Sequence, residues 1–574
     1  MRIPRPEHPK PQFQRDHWMN LNGKWTFAID NGRSGVARGL QKADAVLDGT
    51  IIVPFCPQSE LSGVGHKDFL HGVWYQRSVT LGNDQLCGRT YLHFGAVDYS
   101  AQVFVNGIQV GVHKGGYVSF RMDVTDTVKA GENVITVYAE DDERDPLIPR
   151  GKQSEEYFSH GCDYTRTTGI WQTVWLEFVP ETHVDSIHIT PNVETGSLWI
   201  VANLCGAGTL CIEATYEGRN VGEVAVESKG GRLHVMLPLN EIHLWELGQG
   251  HLYDLTLTYG ADVVHSYAGL RSVRLDGPRF LLNGKSVFQR TVLDQGFYPD
   301  GIYTAPSDEA LVRDIELSMS CGFNGARLHE KVFEERFLYH CDRLGYMVWG
   351  EFPNWGLDIS RPEAVFAVLP EWLEEVERDR NHPALIGWCP FNETWDYAGR
   401  RQCNDVLRMV YLVTKSVDPT RPCIDTSGNY HVQTDIYDIH DYEQDVAVFK
   451  ANYDIFAEGG ELWDHVNHRG LGTRQQYSGQ LPVFVSEYGG IGWTLGDKAW
   501  SYGNMPGSEE AFITRFRGLT NAILDNPRFM GLCYTQLTDV EQEQNGLFTY
   551  KRIPKFPVQT FYQILTRRAA IEKD

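Results

Sequence analysis

The chain lacks the features that mark membrane and secreted disulfide-rich proteins. No uninterrupted apolar run approaches the roughly 18 residues that a membrane-spanning helix needs. The cysteines number 11, an odd count, and include no C-x-x-C pair. The segment from Met1 to Asp16 is charged and rich in proline, without the apolar core of a secretory signal. We therefore expect free thiols, no membrane partner and a cytoplasmic location.

Positive charge is also scarce, and several catalytic motifs are missing. Lysine and arginine number 52 against 75 aspartates and glutamates, a formal net charge of −23. A nucleic-acid-binding protein normally presents a basic face, so we expect no nucleic acid partner. The chain has no G-x-S-x-G, H-E-x-x-H or P-loop motif and no spacing typical of a metal site. We accordingly expect neither a metal nor a cofactor.

Aromatic residues, in contrast, are plentiful, and the chain is long. Phenylalanine, tyrosine and tryptophan make up 12% of the 574 residues, with 15 tryptophans among them. Indole rings stack on the apolar faces of sugars, although core packing accounts for most tryptophans in any one protein. A chain of this length is expected to divide into two to four domains.

The first half of the chain predicts two successive β-sandwiches. Short alternating apolar runs fill residues 101–105 and 109–113, and Asn106-Gly107 between them predicts a hairpin turn because both residues tolerate positive φ. Comparable runs continue beyond residue 181. We predict a jelly-roll β-sandwich for residues 1–181 and an immunoglobulin-like β-sandwich for residues 182–273.

Beyond residue 273 strand-like runs alternate with helical patterns, which is typical of a parallel sheet. One helical pattern follows Ser307 and another ends at Gly345, residue types suited to the two ends of a helix. Eight strands with outer helices in about 300 residues predict a (β/α)8 TIM barrel over residues 274–574. The predicted strands are residues 287–293, 323–328, 346–351, 385–391, 423–426, 436–440, 483–487 and 532–537.

Polar side chains follow the predicted barrel strands, at the ends where barrel enzymes carry their active sites. Glu393 follows strand four, and Glu487 ends strand seven. Two carboxyl groups that face each other across a cleft can hydrolyse a glycosidic bond if one is protonated and the other ionised. Arg327, which ends strand two, and Tyr442, which follows strand six, are available to hold one carboxylate ionised. Glu351 and His440 end strands three and six.

Several segments of the chain carry a family resemblance. The run N-H-P-A-L-I-G-W-C-P-F-N-E, which ends at Glu393, is similar to the acid/base motif of glycoside hydrolase family 2. An Asn-Glu pair after strand four and a glutamate ending strand seven are marks of its larger clan. The resemblance covers nearly the whole chain and implies the domain order sandwich, immunoglobulin-like domain, barrel. Further segments that resemble the family are Gly322 to Arg327, Cys341 to Gly345, Leu282 to Lys285 and Asp163 to Trp171.

The resemblance implies roles for particular residues. Glu393 would be the general acid/base, and Glu487 would be the nucleophile of a retaining double displacement. Asn392 would hydrogen-bond the 2-hydroxyl of the sugar. Asp163 would bind a hydroxyl of the terminal sugar, with a purely structural carboxylate at a domain interface as an equal alternative. Members of the family are often oligomers, so the resemblance also implies a homo-oligomer.

The residues expected to select the sugar depart from the family's patterns. The β-glucuronidases share an Asn-x-Lys motif that binds the sugar carboxylate. Glu543 and Asn545 stand at its two positions here, and a glutamate there would repel a uronate. The β-galactosidases have a histidine three residues after the strand-two arginine. That position holds Glu330 here, directly after His329.

Cations elsewhere in the sequence leave two sugars open. Arg166 matches an arginine of galactosidases and could alternatively pair with a uronate, and Lys331 and Arg290 are further candidate cations. Galactose is the first expectation and a hexuronic acid the second. The residues expected to bind the carbohydrate substrate, besides the two catalytic carboxylates, are Asn392, Asp163, Arg166, Arg327, His329, Glu330, His440, Tyr442 and Asn545.

Three functions are consistent with these residues. The main hypothesis is a retaining exo-β-glycosidase that acts as a β-galactosidase. One alternative is a β-hexuronidase that acts on galacturonides or glucuronides, or another enzyme that acts on a uronic acid. The other alternative is a catalytically inactive, carbohydrate-binding member of the family, which would require a displaced carboxylate.

Overall fold

The computed structural model describes residues 3–394, 401–428, 430–463, 477–494 and 499–572. Within these ranges two antiparallel β-sandwiches precede a parallel sheet with outer helices, as the sequence predicts, and each of the three units has its own apolar core. None of the helices in these ranges combines the length and the apolar character that crossing a bilayer requires.

The N-terminal sandwich packs a four-stranded antiparallel sheet against a six-stranded one. The predicted hairpin turn is confirmed, because Asn106 and Gly107 have φ values of 53° and 80° and connect two paired strands. A single helical turn, α1 (Gly35–Arg38), lies in this unit. The strands are β1 (Trp18–Asn20), β2 (Gly23–Ile29), β3 (Gly49–Val53), β4 (Gly72–Leu81), β5 (Arg89–Phe94), β6 (Val97–Asp98), β7 (Ser100–Val105), β8 (Ile108–Lys114), β9 (Phe120–Asp123), β10 (Gly131–Glu140), β11 (Gly169–Ile170) and β12 (Val174–Val179).

The second sandwich packs a three-stranded antiparallel sheet against a four-stranded one. Its strands alternate buried and exposed residues, which is the pattern of a sheet with one face on the core. They are β13 (His183–Asn192), β14 (Ser197–Cys205), β15 (Gly208–Tyr216), β16 (Arg219–Ser228), β17 (Gly231–Pro238), β18 (Tyr253–Tyr259) and β19 (Asp262–Ala268). A small antiparallel sheet of β20 (Val273–Asp276), β21 (Arg279–Leu282) and β22 (Lys285–Ser286) leads into the barrel.

Over its described residues the C-terminal unit is a curled sheet of seven parallel strands, buried on both faces and covered by helices. In spatial order the strands are β26, β25, β24, β23, β29, β28 and β27. The strands are β23 (Gln289–Asp294), β24 (Gly325–Leu328), β25 (Met347–Glu351), β26 (Leu385–Cys389), β27 (Tyr437–Asp441), β28 (Val483–Gly489) and β29 (Phe529–Thr535). The helices among the described residues are α2 (Asp308–Ser320), α3 (Glu335–Leu344), α4 (Ala364–Asp379), α5 (Asn404–Val417), α6 (Val446–Ala457), α7 (Glu509–Leu524) and α8 (Val558–Leu565).

Predicted strand five is the exception among the eight. Residues 423–426 and the adjacent Ser427 lie beside β26 and form isolated parallel bridges rather than a ladder, with Cys423 opposite Trp388 and Ser427 opposite Asn392. Asp435, in the following loop, bonds both backbone groups of Cys423. The amide of Cys423 donates to the Asp435 carboxylate at 2.9 Å, and the amide of Asp435 donates to the Cys423 carbonyl at 3.0 Å. The segment therefore fills the fifth position of the barrel without a second strand partner of its own.

A loop of the N-terminal sandwich reaches over the carboxyl end of the barrel. The amide of Arg150 donates to the carbonyl of Trp355 at 2.8 Å, and the amide of Gly151 donates to the carbonyl of Pro353 at 3.1 Å. Gly151 has a φ of 55°, and a Cβ there would lie 2.5 Å from the Glu330 carbonyl oxygen. Only glycine allows this close approach, which fixes the sandwich loop against the loops after strands two and three.

The carboxylate of Asp342 joins the second sandwich to the barrel. It is fully buried in helix α3 and accepts hydrogen bonds from the Tyr267 hydroxyl at 2.8 Å, the His382 ring at 2.6 Å and the Ala384 amide at 2.8 Å. Tyr267 lies on β19, and the other two donors precede β26. One carboxylate thus satisfies three buried donors from two units.

Replacing Asp342 by alanine is expected to lower the thermal unfolding midpoint, because these donors would lose their acceptor. Each buried polar group left unsatisfied costs about 1–3 kcal/mol. The matched control is Asp454→Ala, which removes an exposed carboxylate that pairs with Lys450 and should change the midpoint little. Circular dichroism melts of both variants test this, and equal midpoints would contradict it.

Candidate active site

The polar side chains predicted at the barrel strand ends converge at one mouth. Arg327 lies on β24, Glu351 ends β25, and Asn392 and Glu393 follow β26. His440 lies on β27 and Glu487 on β28. Because all of these strands are parallel, their carboxyl ends open on the same side of the sheet, as in a TIM barrel.

The guanidinium of Arg327 lies at the centre of this mouth. It is 1% exposed and donates to the carboxylates of Glu351 and Glu487, the latter at 3.0 Å, and to the Ser486 carbonyl at 2.9 Å. A longer contact of 3.3 Å reaches the Asn392 side-chain oxygen. Burial alone would lower the pKa of Arg327, but the two carboxylates outweigh it and raise that pKa. Arg327 therefore stays charged and aligns Glu487.

The carboxylate of Glu487 accepts hydrogen bonds on both oxygens. Arg327 donates to one, and the Tyr442 hydroxyl donates to the other at 2.6 Å. The Tyr442 ring stacks on Tyr502 with the ring centres 3.6 Å apart, which fixes the position of that hydroxyl. Two donors on a buried carboxylate suit an ionised nucleophile.

Glu393 lies beside Glu487 in a strained backbone conformation. Its φ is 47°, which is uncommon for a residue with a side chain, and its amide donates to the Ser427 carbonyl at 2.8 Å. Its side chain is 14% exposed, against 4% for that of Glu487. A carboxylate oxygen from each glutamate and one ring nitrogen of His440 all lie within 4.8 Å of one another. The more open carboxyl group is thus the one that can reach a leaving group.

Asn392 presents an unused donor to the mouth. Its amide donates to the Asn354 side chain at 2.6 Å, and its carbonyl accepts from the Trp355 indole at 3.2 Å. Its side-chain nitrogen is buried and has no hydrogen-bond partner among the described residues. A buried donor without a partner is costly unless a ligand satisfies it. The predicted bond from Asn392 to a sugar hydroxyl fits this geometry.

His329 and Glu330 both lie in the mouth, where they contact different groups. His329 Nδ1 lies 3.1 Å from a Glu351 oxygen, and burial lowers the pKa of His329. One Glu330 oxygen accepts from the Trp355 amide at 3.1 Å, and the other has no partner among the described residues. Burial raises the pKa of Glu330 well above its ordinary value. Glu330 is therefore suited to hydrogen-bond a ligand as a neutral acid.

A cleft of about 460 Å³ opens in front of Glu393 and is lined by both the sandwich and the barrel. Trp355 forms part of its wall, and Asp163 and Arg150 enter it from the sandwich loop. Arg150 donates to the Asp163 carboxylate at 2.7 Å. The structure thus brings Asp163 to the same cleft as Glu393, as the sequence predicts, and Asp163 there also belongs to a domain interface.

Lys152 lies beside this cleft, against the Trp355 ring of its wall, and sequence reasoning missed it. It is 4% exposed, and its ammonium lies 3.5 Å from the centre of the Trp355 ring. No hydrogen bond or ion pair to its ammonium is present among the described residues. Burial would lower the pKa of Lys152, but Cys162, Asp163, Glu543 and Glu393 together raise it. The only signal in the sequence is its position eleven residues before Asp163, in the loop that Gly151 fixes against the barrel.

Glu543 and Asn545, the two positions of the substituted motif, form a buried network beside the cleft. Glu543 accepts from the Tyr164 hydroxyl on one oxygen and from the Asn545 amide at 2.9 Å on the other. The Asn545 oxygen accepts from Gln536 at 2.7 Å. Burial raises the pKa of Glu543, although Lys152 opposes that rise. Asn545 therefore occupies the position of the family's lysine but orients Glu543 and does not take over the lysine's role.

Arg166 has a different role from the one predicted. It is 1% exposed, and its terminal nitrogens donate to the carbonyls of Ser154, Glu156, Lys67 and Tyr157. The loop folds around the guanidinium, so that its carbonyls accept all of these hydrogen bonds. Arg166 therefore stabilises the loop and does not face a substrate.

The other candidate cations are likewise engaged away from the cleft. Lys331 donates to the carbonyls of Gly296 and Tyr303. Arg290 pairs with Glu572 at 2.7 Å near the C-terminus. Neither is available for a sugar carboxylate.

Comparison with known proteins places this geometry in a family context. Residues 18–180 match the model described as glycosyl hydrolases family 2, sugar binding domain. Residues 273–511 match the model described as glycosyl hydrolases family 2, TIM barrel domain. Together the two models cover more than half of the chain.

Several proteins similar to this chain are named β-glucuronidases. A β-glucuronidase of Felis catus is 26% identical over 84% of this chain and 79% of its own length. A β-glucuronidase of Streptococcus agalactiae is 23% identical over 94% of this chain and 95% of its own length. The structures of a β-glucuronidase from an uncultured Clostridium and of one from Ruminococcus gnavus in complex with D-glucuronic acid each have a TM-score of 0.78, at 21% and 19% identity. Each covers 96% of this chain and 98% of its own. At such identity the structures establish the shared fold.

Proposed function

The chain belongs to glycosyl hydrolase family 2, and from this we propose that it is a retaining exo-β-hexuronidase, which releases a terminal uronic acid from a β-glycoside. The single observation that carries the retaining mechanism is the approach of Glu393 to Glu487, with carboxylate oxygens within 4.8 Å. Retaining enzymes hold their two carboxyl groups about 5–5.5 Å apart, whereas inverting enzymes separate them by about 6.5–9.5 Å to admit water. The spacing here supports direct attack on the sugar.

In this mechanism the two glutamates have separate tasks. Glu487 donates an electron pair to the anomeric carbon and forms an ester, while the bond to the leaving oxygen breaks and Glu393 gives that oxygen its proton. Glu393, now ionised, takes a proton from water as that water attacks the anomeric carbon and releases Glu487. Asn392 hydrogen-bonds the 2-hydroxyl, a contact that strengthens in the transition state.

A uronic acid is favoured over galactose by two observations. The similar proteins described above are named β-glucuronidases, so the first expectation, a β-galactosidase, has no support from them. The Lys152 ammonium also lies against the Trp355 wall of the cleft and has no anion within ion-pair distance among the described residues. A sugar carboxylate is a suitable partner for such a buried cation. Glu543, which was expected to repel a uronate, has both oxygens bonded and a raised pKa.

Replacing Glu487 by glutamine is expected to reduce turnover of aryl β-glycosides by about 10³-fold or more, because the nucleophile is lost. Glu393→Gln should lose activity most on substrates with poor leaving groups, and added azide should restore turnover and yield a β-glycosyl azide. The control is Glu223→Gln, an exposed residue of the second sandwich. Activity of Glu487→Gln close to that of the parent would rule out this assignment.

A panel of nitrophenyl β-glycosides tests the sugar, with galactoside, glucuronide, galacturonide, glucoside and mannoside compared by kcat/KM. A uronide is expected to be the best substrate. Lys152→Met should lower kcat/KM for that uronide by about 10–100-fold, the strength of a charge-assisted hydrogen bond, and should affect the matching neutral hexoside much less.

The matched control for the panel is Lys450→Met, which removes an exposed lysine. A galactoside as the best substrate would overturn the uronide proposal. Equal losses on the uronide and the hexoside in Lys152→Met would show that Lys152 does not bind the carboxylate.

A further inference from the structure

A buried histidine stands between the two catalytic carboxylates. His440 is 2% exposed, and its Nδ1 lies 2.8 Å from a Glu393 oxygen and 3.3 Å from a Glu487 oxygen. Its other nitrogen, Nε2, lies 2.7 Å from the Ser427 hydroxyl. One ring therefore connects the acid/base to the nucleophile on one side and to the fifth barrel segment on the other.

The position of the hydrogen on Nε2 follows from the partners of Ser427. The Ser427 oxygen lies 2.5 Å from an oxygen of Asp438. Burial would raise the pKa of Asp438, but the His431 ring, whose Nε2 lies 3.0 Å from the other Asp438 oxygen, lowers it to about 2. An ionised carboxylate only accepts, so Ser427 gives its hydrogen to Asp438 and must accept one from His440. Nε2 of His440 therefore carries a hydrogen.

The state of the Nδ1 atom then decides the charge of the ring. A lone pair on Nδ1 would point at an oxygen of the ionised Glu487, 3.3 Å away, which only accepts. A hydrogen on Nδ1 makes that contact attractive and can also be accepted by Glu393, whether Glu393 is ionised or protonated. The carboxylates of Glu393 and Glu487 face the ring from β26 and β28, and that of Asp438 lies 4.0 Å from Nε2. The cationic Arg327 opposes a second positive charge, and His329 and Glu351 are further ionisable groups near the ring among the described residues.

We propose that His440 is a positively charged positioning residue that bridges the two catalytic carboxylates. During turnover it pairs with whichever of the two is ionised. This rests on the proposed retaining mechanism. In the free enzyme Glu487 is ionised and Glu393 is protonated. In the glycosyl-enzyme Glu487 is a neutral ester and Glu393 is ionised. Each state thus has one carboxylate beside one imidazolium, and Nδ1 reaches both positions without moving.

The backbone at Gly428, which lies against the His440 ring, leaves room for this arrangement. Gly428 has a φ of 97°, and a Cβ there would lie 2.9 Å from His440 Nδ1 and 3.2 Å from Glu393 Cγ. A side chain at this position would push the ring and the acid/base apart. Gly428 and Ser427 are adjacent, so the same short segment both fixes the hydrogen on Nε2 and leaves room for the contact at Nδ1.

Two measurements test the proposal. In His440→Gln the cation is absent, so both carboxylates become harder to ionise, and the acid limb of the pH profile of kcat/KM should move upward by about one pH unit. Release of Glu487 in the second step should also slow, so a good leaving group should give a larger burst. His234→Gln, an exposed histidine of the second sandwich, is the control. Unchanged limbs and an unchanged burst in His440→Gln would overturn the proposal.

Nitrogen NMR of the parent enzyme, labelled at histidine, gives a second readout that needs no turnover. The His440 signal, identified by its loss in His440→Gln or its shift in Ser427→Ala, is expected to show both nitrogens protonated at pH 7. A neutral ring at pH 7 would overturn the proposal even if the glutamate variants behave as expected. Conversely, an active Glu487→Gln would refute the proposed function, and the NMR result alone would then decide whether the His440 ring is charged.

Discussion

The buried guanidinium of Arg327 is the interaction on which the mouth of the barrel depends. It connects strands two, three and seven with the residues after strand four through Glu351, Glu487 and Asn392. Moving such a cation out of water costs several kcal/mol, and the cost is offset only when carboxylates and carbonyls surround it. Because Asn392 directly precedes Glu393, one side chain sets the placement of both glutamates.

The catalytic part of this site was accessible to sequence reasoning, because its geometry is a property of the barrel. Parallel strands end on the same side, so counting strands placed Glu393 and Glu487 together. Lys152 could not be predicted because it lies on a loop of another domain, and its place beside the cleft depends on how that domain docks. The prediction that Arg166 binds the substrate was wrong because residue type alone does not reveal that neighbouring carbonyls bind its guanidinium.

Strand five shows a similar limit within the barrel itself. Its apolar run was recognised, but Asp435 binds the backbone that a neighbouring strand would otherwise use. Side chains that compete for backbone groups are common in loops and leave little trace in a hydrophobic pattern. The number of barrel positions could thus be predicted, while the pairing at one of them could not.

The contact at Gly151 between the sandwich loop and the barrel means that the cleft is built from two distant parts of the sequence. The two proposed catalytic carboxylates lie at the barrel strand ends, where Arg327, Tyr442 and His440 contact them. The cleft is completed by a loop from elsewhere in the chain, anchored at Gly151, which brings Arg150 and Asp163 to it. In evolutionary terms, mutations in that loop can reshape the cleft while the residues at the barrel strand ends stay unchanged.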